Sequence, residues 1–227
     1  MNPTFPIRLA GLSAMAAGLL FIVIQVIHPT DVLSSVTTDR WAIVHYLGIA
    51  MCLFGIFGVA GIYGRQIKES GWVGLAGFVL FSLFWALSLA FQFIEALISP
   101  KLAASSPEYV EGILGIARGK ATVMDMGALP EVYAVTGGFY LLGGVALGIA
   151  TYRAGVLPRL AGASLAVGTV LPVALAFVPH PADRSLAVPV GLSLAWLGYM
   201  LWADRGEAAT VSVPESGNVQ LSQAGAE

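Results

Sequence analysis

Charged residues divide this 227-residue chain into six uncharged stretches, each close to the roughly 20 residues that cross a bilayer as a helix. They run between Arg8 and Asp31, Arg40 and Arg65, Glu69 and Glu95, Glu131 and Arg153, Arg159 and Asp183, and Arg184 and Asp204. In hydrocarbon a backbone must satisfy its own hydrogen bonds, so each stretch is read as a helix. None alternates as a membrane strand would. Only 11% of the residues are charged and mean hydropathy is +0.83, whereas a soluble domain carries about 25% charge. The expected fold is therefore all-α, a polytopic membrane bundle of six transmembrane helices within residues 1–206. The spans are placed at about 9–28, 41–64, 71–98, 131–152, 159–179 and 185–203. Pro172 and Pro179 leave the fifth open to kinking or an early end. The first is read as a retained helix, because its apolar run exceeds the roughly 7–15 residues of a secretory signal and only Arg8 precedes it. Residues 207–227 are small and polar without apolar periodicity and are expected to be a disordered tail.

Several function classes fall away at once. A net charge of −2 and a pI near 5.9 provide no basic footprint for nucleic acid. A single cysteine, Cys52, excludes an internal disulfide and a cysteine-built metal cage. The chain has no H-E-x-x-H, no G-x-S-x-G and no P-loop. Its Gly-x-x-Gly strings open no strand–helix unit, so a non-enzymatic role is favoured.

Orientation follows the basic residues flanking short loops. With the N-terminus inside, the cytoplasmic face holds Arg8, Arg65, Lys68, Arg153, Arg159 and Arg205, against Arg40, Lys101, Arg118, Lys120 and Arg184 outside. Three of the outer five lie in one long loop, 99–130, where charge counts for less, so both termini are placed in the cytoplasm and the chain in the plasma (inner) membrane. Trp41, Trp72, Trp202, Tyr63 and Tyr152 lie near span ends, where interfacial anchors sit. In the long loop, Ser106-Pro107 reads as a helix start. Val110, Ile113, Leu114 and Ala117 follow at helical spacing, and Gly119 supplies a stop. The spacing predicts an amphipathic helix lying on the outer surface or folded over the bundle.

Two spans echo each other. The first opens Arg8-Leu9-Ala10-Gly11 and closes His28-Pro29-Thr30-Asp31; the fifth opens Arg159-Leu160-Ala161-Gly162 and closes His180-Pro181-Ala182-Asp183. A fainter version, Leu75-Ala76-Gly77, starts the third. The echo predicts three parallel helical hairpins of common descent, against chance in an apolar composition. Gly55, Gly58, Gly61 and Gly64 recur in the second span, and Gly144 and Gly148 form a G-x-x-x-G in the fourth. Such faces suit close helix packing, a hinge, or contact with a second copy or a partner membrane subunit.

Ionisable residues inside spans are costly and mark candidate sites. Under the N-in topology His28, His45, Glu95, Glu131 and His180 all fall at outer ends. Gln25 and Gln92 lie one turn deeper, three residues before His28 and Glu95. The candidate ligand pocket is thus Glu95, His45, Gln92, Gln25 and Glu131, with His45 or Arg40 as the partner of Glu95. Against this, His28 and His180 with their following prolines also read as plain helix terminators, and His45 as interfacial packing. His28, His45 and His180 form a candidate set for zinc or copper, or for haem iron; otherwise no cofactor is expected.

From Ala154 to Gly162 the run A-G-V-L-P-R-L-A-G resembles the cytoplasmic turn G-x-L-P-R-x-x-G of a widespread family of bacterial six-span membrane proteins known as a domain of unknown function. The R-x-A-G opening at Arg8–Gly11 and the long loop before the fourth span are similar too, so the resemblance covers about residues 8–203. It implies a fold and no activity, and the twin H-P-x-D ends are not part of it. The leading expectation is a small-ligand transport, sensing or accessory protein with an outward-facing polar pocket. The alternatives are a haem- or metal-binding redox protein and a structural subunit of a membrane complex.

Overall fold

The computed structural model describes residues 4–119, 122, 124–172 and 182–203. Its elements are α1 (Thr4–Ile27), α2 (Leu33–Val36), α3 (Asp39–Arg65), α4 (Ile67–Phe93), a π-helical turn (Ile94–Ile98), α5 (Ser99–Leu102), α6 (Pro107–Ala117), α7 (Leu129–Ala154), α8 (Arg159–Val170), a 3-10 turn (Ala182–Ala187) and α9 (Val188–Ala203). All regular structure among the described residues is helical. Among the described residues five helical segments are long and apolar enough to cross a membrane: Phe5–Ile27, Asp39–Arg65, Ile67–Leu102, Leu129–Ala154 and Ser185–Ala203. The chain is a multi-pass membrane protein by this architecture. The expected fifth span is described as a twelve-residue apolar helix over Arg159–Val170 followed by Leu171 and Pro172; residues 173–179 of it, His180 and the tail lie outside the described residues.

Local chemistry sets the element ends. α1 stops at Ile27, ahead of His28-Pro29, since the residue before proline disfavours helical geometry. Thr38 caps α3 through its hydroxyl, which accepts from the Trp41 backbone N–H, and Asp39 and Arg65 occupy the first and last turns with favourable dipole signs. α7 ends on Gly155 in the left-handed region at φ 64°, its N–H bonded to the Thr151 carbonyl. Gly71, at φ 56° and ψ −158°, breaks the first turn of α4 away from the rest. Pro107 opens α6 and Gly119 lies beyond its end at φ 65°, while the Ser106 hydroxyl makes no capping bond.

Neighbouring helices close a ring: α1 packs on α3, α3 on α4, α4 on α7, α7 on α8, α8 on α9, and α9 back on α1. Phe21, Met51, Val59, Phe81, Trp85, Leu147, Leu165 and Leu197 belong to its buried core. Val26, Phe57, Leu160 and Leu192 face outward, which suits a lipid surround. α6 folds over one end of the ring, burying Val110 and Leu114 against Val36 and Trp41. Trp72 and Tyr152 are exposed, as interfacial anchors should be, but Trp41 is buried. It is part of the core under α6 and not an anchor, because α2 and α6 cover it.

Two crossings share one geometry. A Cβ on Gly11 would meet the Gly198 carbonyl oxygen at 2.7 Å and the Trp202 nitrogen at 2.6 Å; one on Gly162 would meet the Gly148 carbonyl oxygen at 2.8 Å and the Tyr152 nitrogen at 2.9 Å. Seen from the other side, Gly198 faces Gly11 and Met15, and Gly148 faces Gly162 and Ala166. Each glycine thus meets residues i and i+4 of its partner helix. In both pairs the backbones approach too closely for any side chain. Gly77, in the fainter echo, packs on Leu147 of α7 and does not share the arrangement.

Candidate functional site

Trp41 and His45 lie one turn apart on α3, so both point at the same stretch of α4. There the helix widens into the π-helical turn Ile94–Ile98, and the Ser99 N–H reaches back five residues to the Ile94 carbonyl. Such turns free a carbonyl from the usual ladder and are frequent at functional sites. Here the Glu95 carbonyl accepts from the Trp41 indole Nε1–H at 2.8 Å. The Glu95 side chain meets His45, Nε2 to Oε2, at 2.6 Å. One residue of α4 is therefore held twice by α3, through its backbone and through its carboxylate.

The histidine is fully buried and the Glu95 side chain is 12% exposed. Proton positions follow from the partners. His45 Nδ1 lies 2.8 Å from the Trp41 carbonyl oxygen, which can only accept, so Nδ1 carries a hydrogen. Nε2 then faces a carboxylate oxygen, and two lone pairs at 2.6 Å repel unless a proton lies between them. The contact is off the N–H axis and does not make a well-aligned hydrogen bond, so attraction rests on charge or on that shared proton. Tyr133 of α7 stacks on Phe91 with ring centroids 3.9 Å apart, and its hydroxyl reaches the other Glu95 oxygen at 3.4 Å.

His28 arrives from the end of α1. Its ring packs edge-on against His45, centroids 5.3 Å apart, and against Trp41 at 5.8 Å. Its Nδ1 lies 2.7 Å from the Pro29 carbonyl oxygen and 3.6 Å from Asp31 Oδ1, the local contacts of a helix terminator. Arg40 turns to the Ile27 carbonyl at 2.7 Å, tying α3 to α1, so of the two partners considered for Glu95 it is His45 that meets it. Gln92 lies against Gly48 of α3, whose missing side chain makes the space. Gln25 is half-buried on α1, one turn before His28. Glu131 is exposed in the first turn of α7, where a carboxylate favours the helix dipole; it is not part of the cluster. His28, His45 and Glu95 gather at the end of the bundle where α6 packs on Trp41. The concavity at this end lies at the start of α6, about 630 Å³, bordered by Leu102, Ser105, Pro107, Glu108, Tyr109 and Met124.

Among the described residues no three of His, Cys, Asp and Glu are grouped to hold a metal ion. Both ring nitrogens of His45 are already engaged, and His180 lies outside the described residues. Sequence reasoning did not single out Tyr133 or give Trp41 its role at the pair; the four-residue spacing of Trp41 and His45 was the available signal. No family model matches the chain, and neither a curated protein nor a solved structure matches it.

Proposed function

We propose that the chain is a non-enzymatic transport or sensing protein of the bacterial plasma membrane that responds to protons through the His45–Glu95 pair. The observation that carries this is a histidine and a glutamate 2.6 Å apart inside an apolar helical bundle, with the glutamate set in a π-helical turn. An ionisable pair there costs several kcal/mol of desolvation, so a purely structural role would be served better by apolar side chains. The basic residues on either side of the spans support six crossings with both termini in the cytoplasm, which puts the pair and α6 on the outer side. The R-x-A-G opening and the G-x-L-P-R-x-x-G turn support membership of the six-span family of unknown activity. The matching Gly11–Gly198 and Gly162–Gly148 crossings support duplication, since residues that echo in sequence occupy equivalent places in the ring.

The test compares the thermal unfolding midpoint of purified protein from acid to alkaline pH with that of Glu95→Gln. The wild-type profile should contain a step that Glu95→Gln removes and His28→Ala keeps. The titratable groups against the pair are His28, packed on His45, and Tyr133 of α7, at Glu95; Asp31 lies beside His28, and Arg40 bonds the Ile27 carbonyl. Superimposable wild-type and Glu95→Gln profiles would end the proposal.

A further inference from the structure

Four polar atoms on one side of α4 and its continuation are buried with no hydrogen-bond partner: Ser82 Oγ, Trp85 Nε1, Gln92 Oε1 and Ser99 Oγ. Trp85 is 0% exposed and Ser99 1%. Trp85 and Gln92 are spaced by seven and share a face, Glu95 follows Gln92 by three, Ser82 precedes Trp85 by three, and Ser99 stands just past the π-helical turn. The opposing surface of α3 is built to admit them. Gly55 lies under the Trp85 ring and Gly48 under the Gln92 amide, with Cys52 buried between them. From Ser82 to Ser99 the row extends about 25 Å along the helix axis.

In a bilayer-embedded core an orphaned polar group costs several kcal/mol, and four on one face exceed what a marginally stable fold sustains. No neighbouring side chain supplies a partner for any of the four. A small molecule that both donates and accepts hydrogen bonds fits the set. Trp85 Nε1 can only donate, the Gln92 carbonyl oxygen accepts, and the serines do either. Water has that chemistry and that size.

We propose that the α3–α4 seam binds a file of internal waters running from the His45–Glu95 pair to Ser82. In the proton-responsive reading above, on which its functional meaning rests, the file gives the pair a polar reservoir inside the bundle while α6 covers the outer end. The waters would bridge Trp85 to Gln92 and Gln92 to Glu95, and Phe81 would close the inner limit of the seam.

Hydrogen–deuterium exchange of the tryptophan indole N–H groups in full-length protein in nanodiscs tests this, with Trp85→Phe assigning the resonance. A wet seam makes the Trp85 indole exchange far faster than the backbone amides beside it, despite its complete burial, and Gln92→Leu removes that fast exchange. A Trp85 indole as protected as its neighbouring amides would overturn the hydrated seam, whatever the pH profile of Glu95→Gln shows. Fast Trp85 exchange with no pH step at Glu95 would keep the waters and reject the proton reading.

Discussion

The α1–α9 and α3–α4 interfaces are both studded with glycine, yet the glycines serve opposite ends. In α1–α9, Gly11 faces the backbone of Gly198, and Gly18 that of Gly191. Removing side chains there lets two main chains touch, and dispersion between them provides the adhesion. In α3–α4, Gly48 and Gly55 face the side chains of Gln92 and Trp85, so the vacated volume is filled by polar groups. One seam is a dry weld and the other a polar slot. A count of glycines or a G-x-x-x-G match does not separate them; what lies opposite does.

The largest effect expected on this contrast comes from the slot. His45→Ala strips the partner from a buried carboxylate and should cost about 3–5 kcal/mol, read as the free energy of unfolding in a mixed-micelle denaturant titration. Adding Glu95→Gln should return a large share of that loss. If the double variant is no better than the single, Glu95 is not an uncompensated charge and the slot is only packing.

Next comes the weld. Gly198→Ala places a methyl 2.6 Å from the Gly11 carbonyl oxygen and the Met15 nitrogen, neither of which can swing aside, so a loss of about 2–3 kcal/mol is expected. Gly148→Ala meets the same two kinds of atom at 2.6 Å in α8 and should cost the same to within a few tenths of a kcal/mol by the same titration. Unequal losses would argue against equivalent crossings.

Smaller still is Gly48→Ala, at about 1 kcal/mol or less, because the group in its way is the end of a flexible Gln92 side chain. A loss as large as that of Gly198→Ala would erase the distinction between the seams. Comparable in size is Thr151→Ala, which removes the 2.7 Å bond from the buried Gln66 amide at the other end of the bundle. About 1 kcal/mol is expected in the same measurement.

Much of this arrangement is legible in the sequence. Ionisable residues stand out within or at the ends of uncharged runs, which is why His45 and Glu95 could be named together. α6 was readable because Val110, Ile113 and Leu114 follow a proline at helical spacing. The π-helical turn was not, since no residue type encodes it, and with it went the bond from the Trp41 indole to the Glu95 carbonyl. Trp41 was misassigned because a tryptophan at a span end looks alike whether lipid or a loop helix lies over it. Glu131 was grouped with the pair on depth alone, yet its first-turn position turns it outward. Four-residue α2 is too short to leave a periodic signature.

The closure of the ring by α9 has a consequence for assembly. The Arg8 guanidinium bonds the Trp202 carbonyl across 194 residues at 3.1 Å, and the Gly11 and Gly18 faces find their partners only on the last helix. As the chain emerges from the ribosome, the neighbouring pairs from α1–α3 to α7–α8 can form before α9 is made, whereas α1 keeps a bare, backbone-exposing stripe until α9 is inserted. A nascent chain stopped short of α9 would carry an adhesive edge along α1, with Gly11 and Gly18 uncovered.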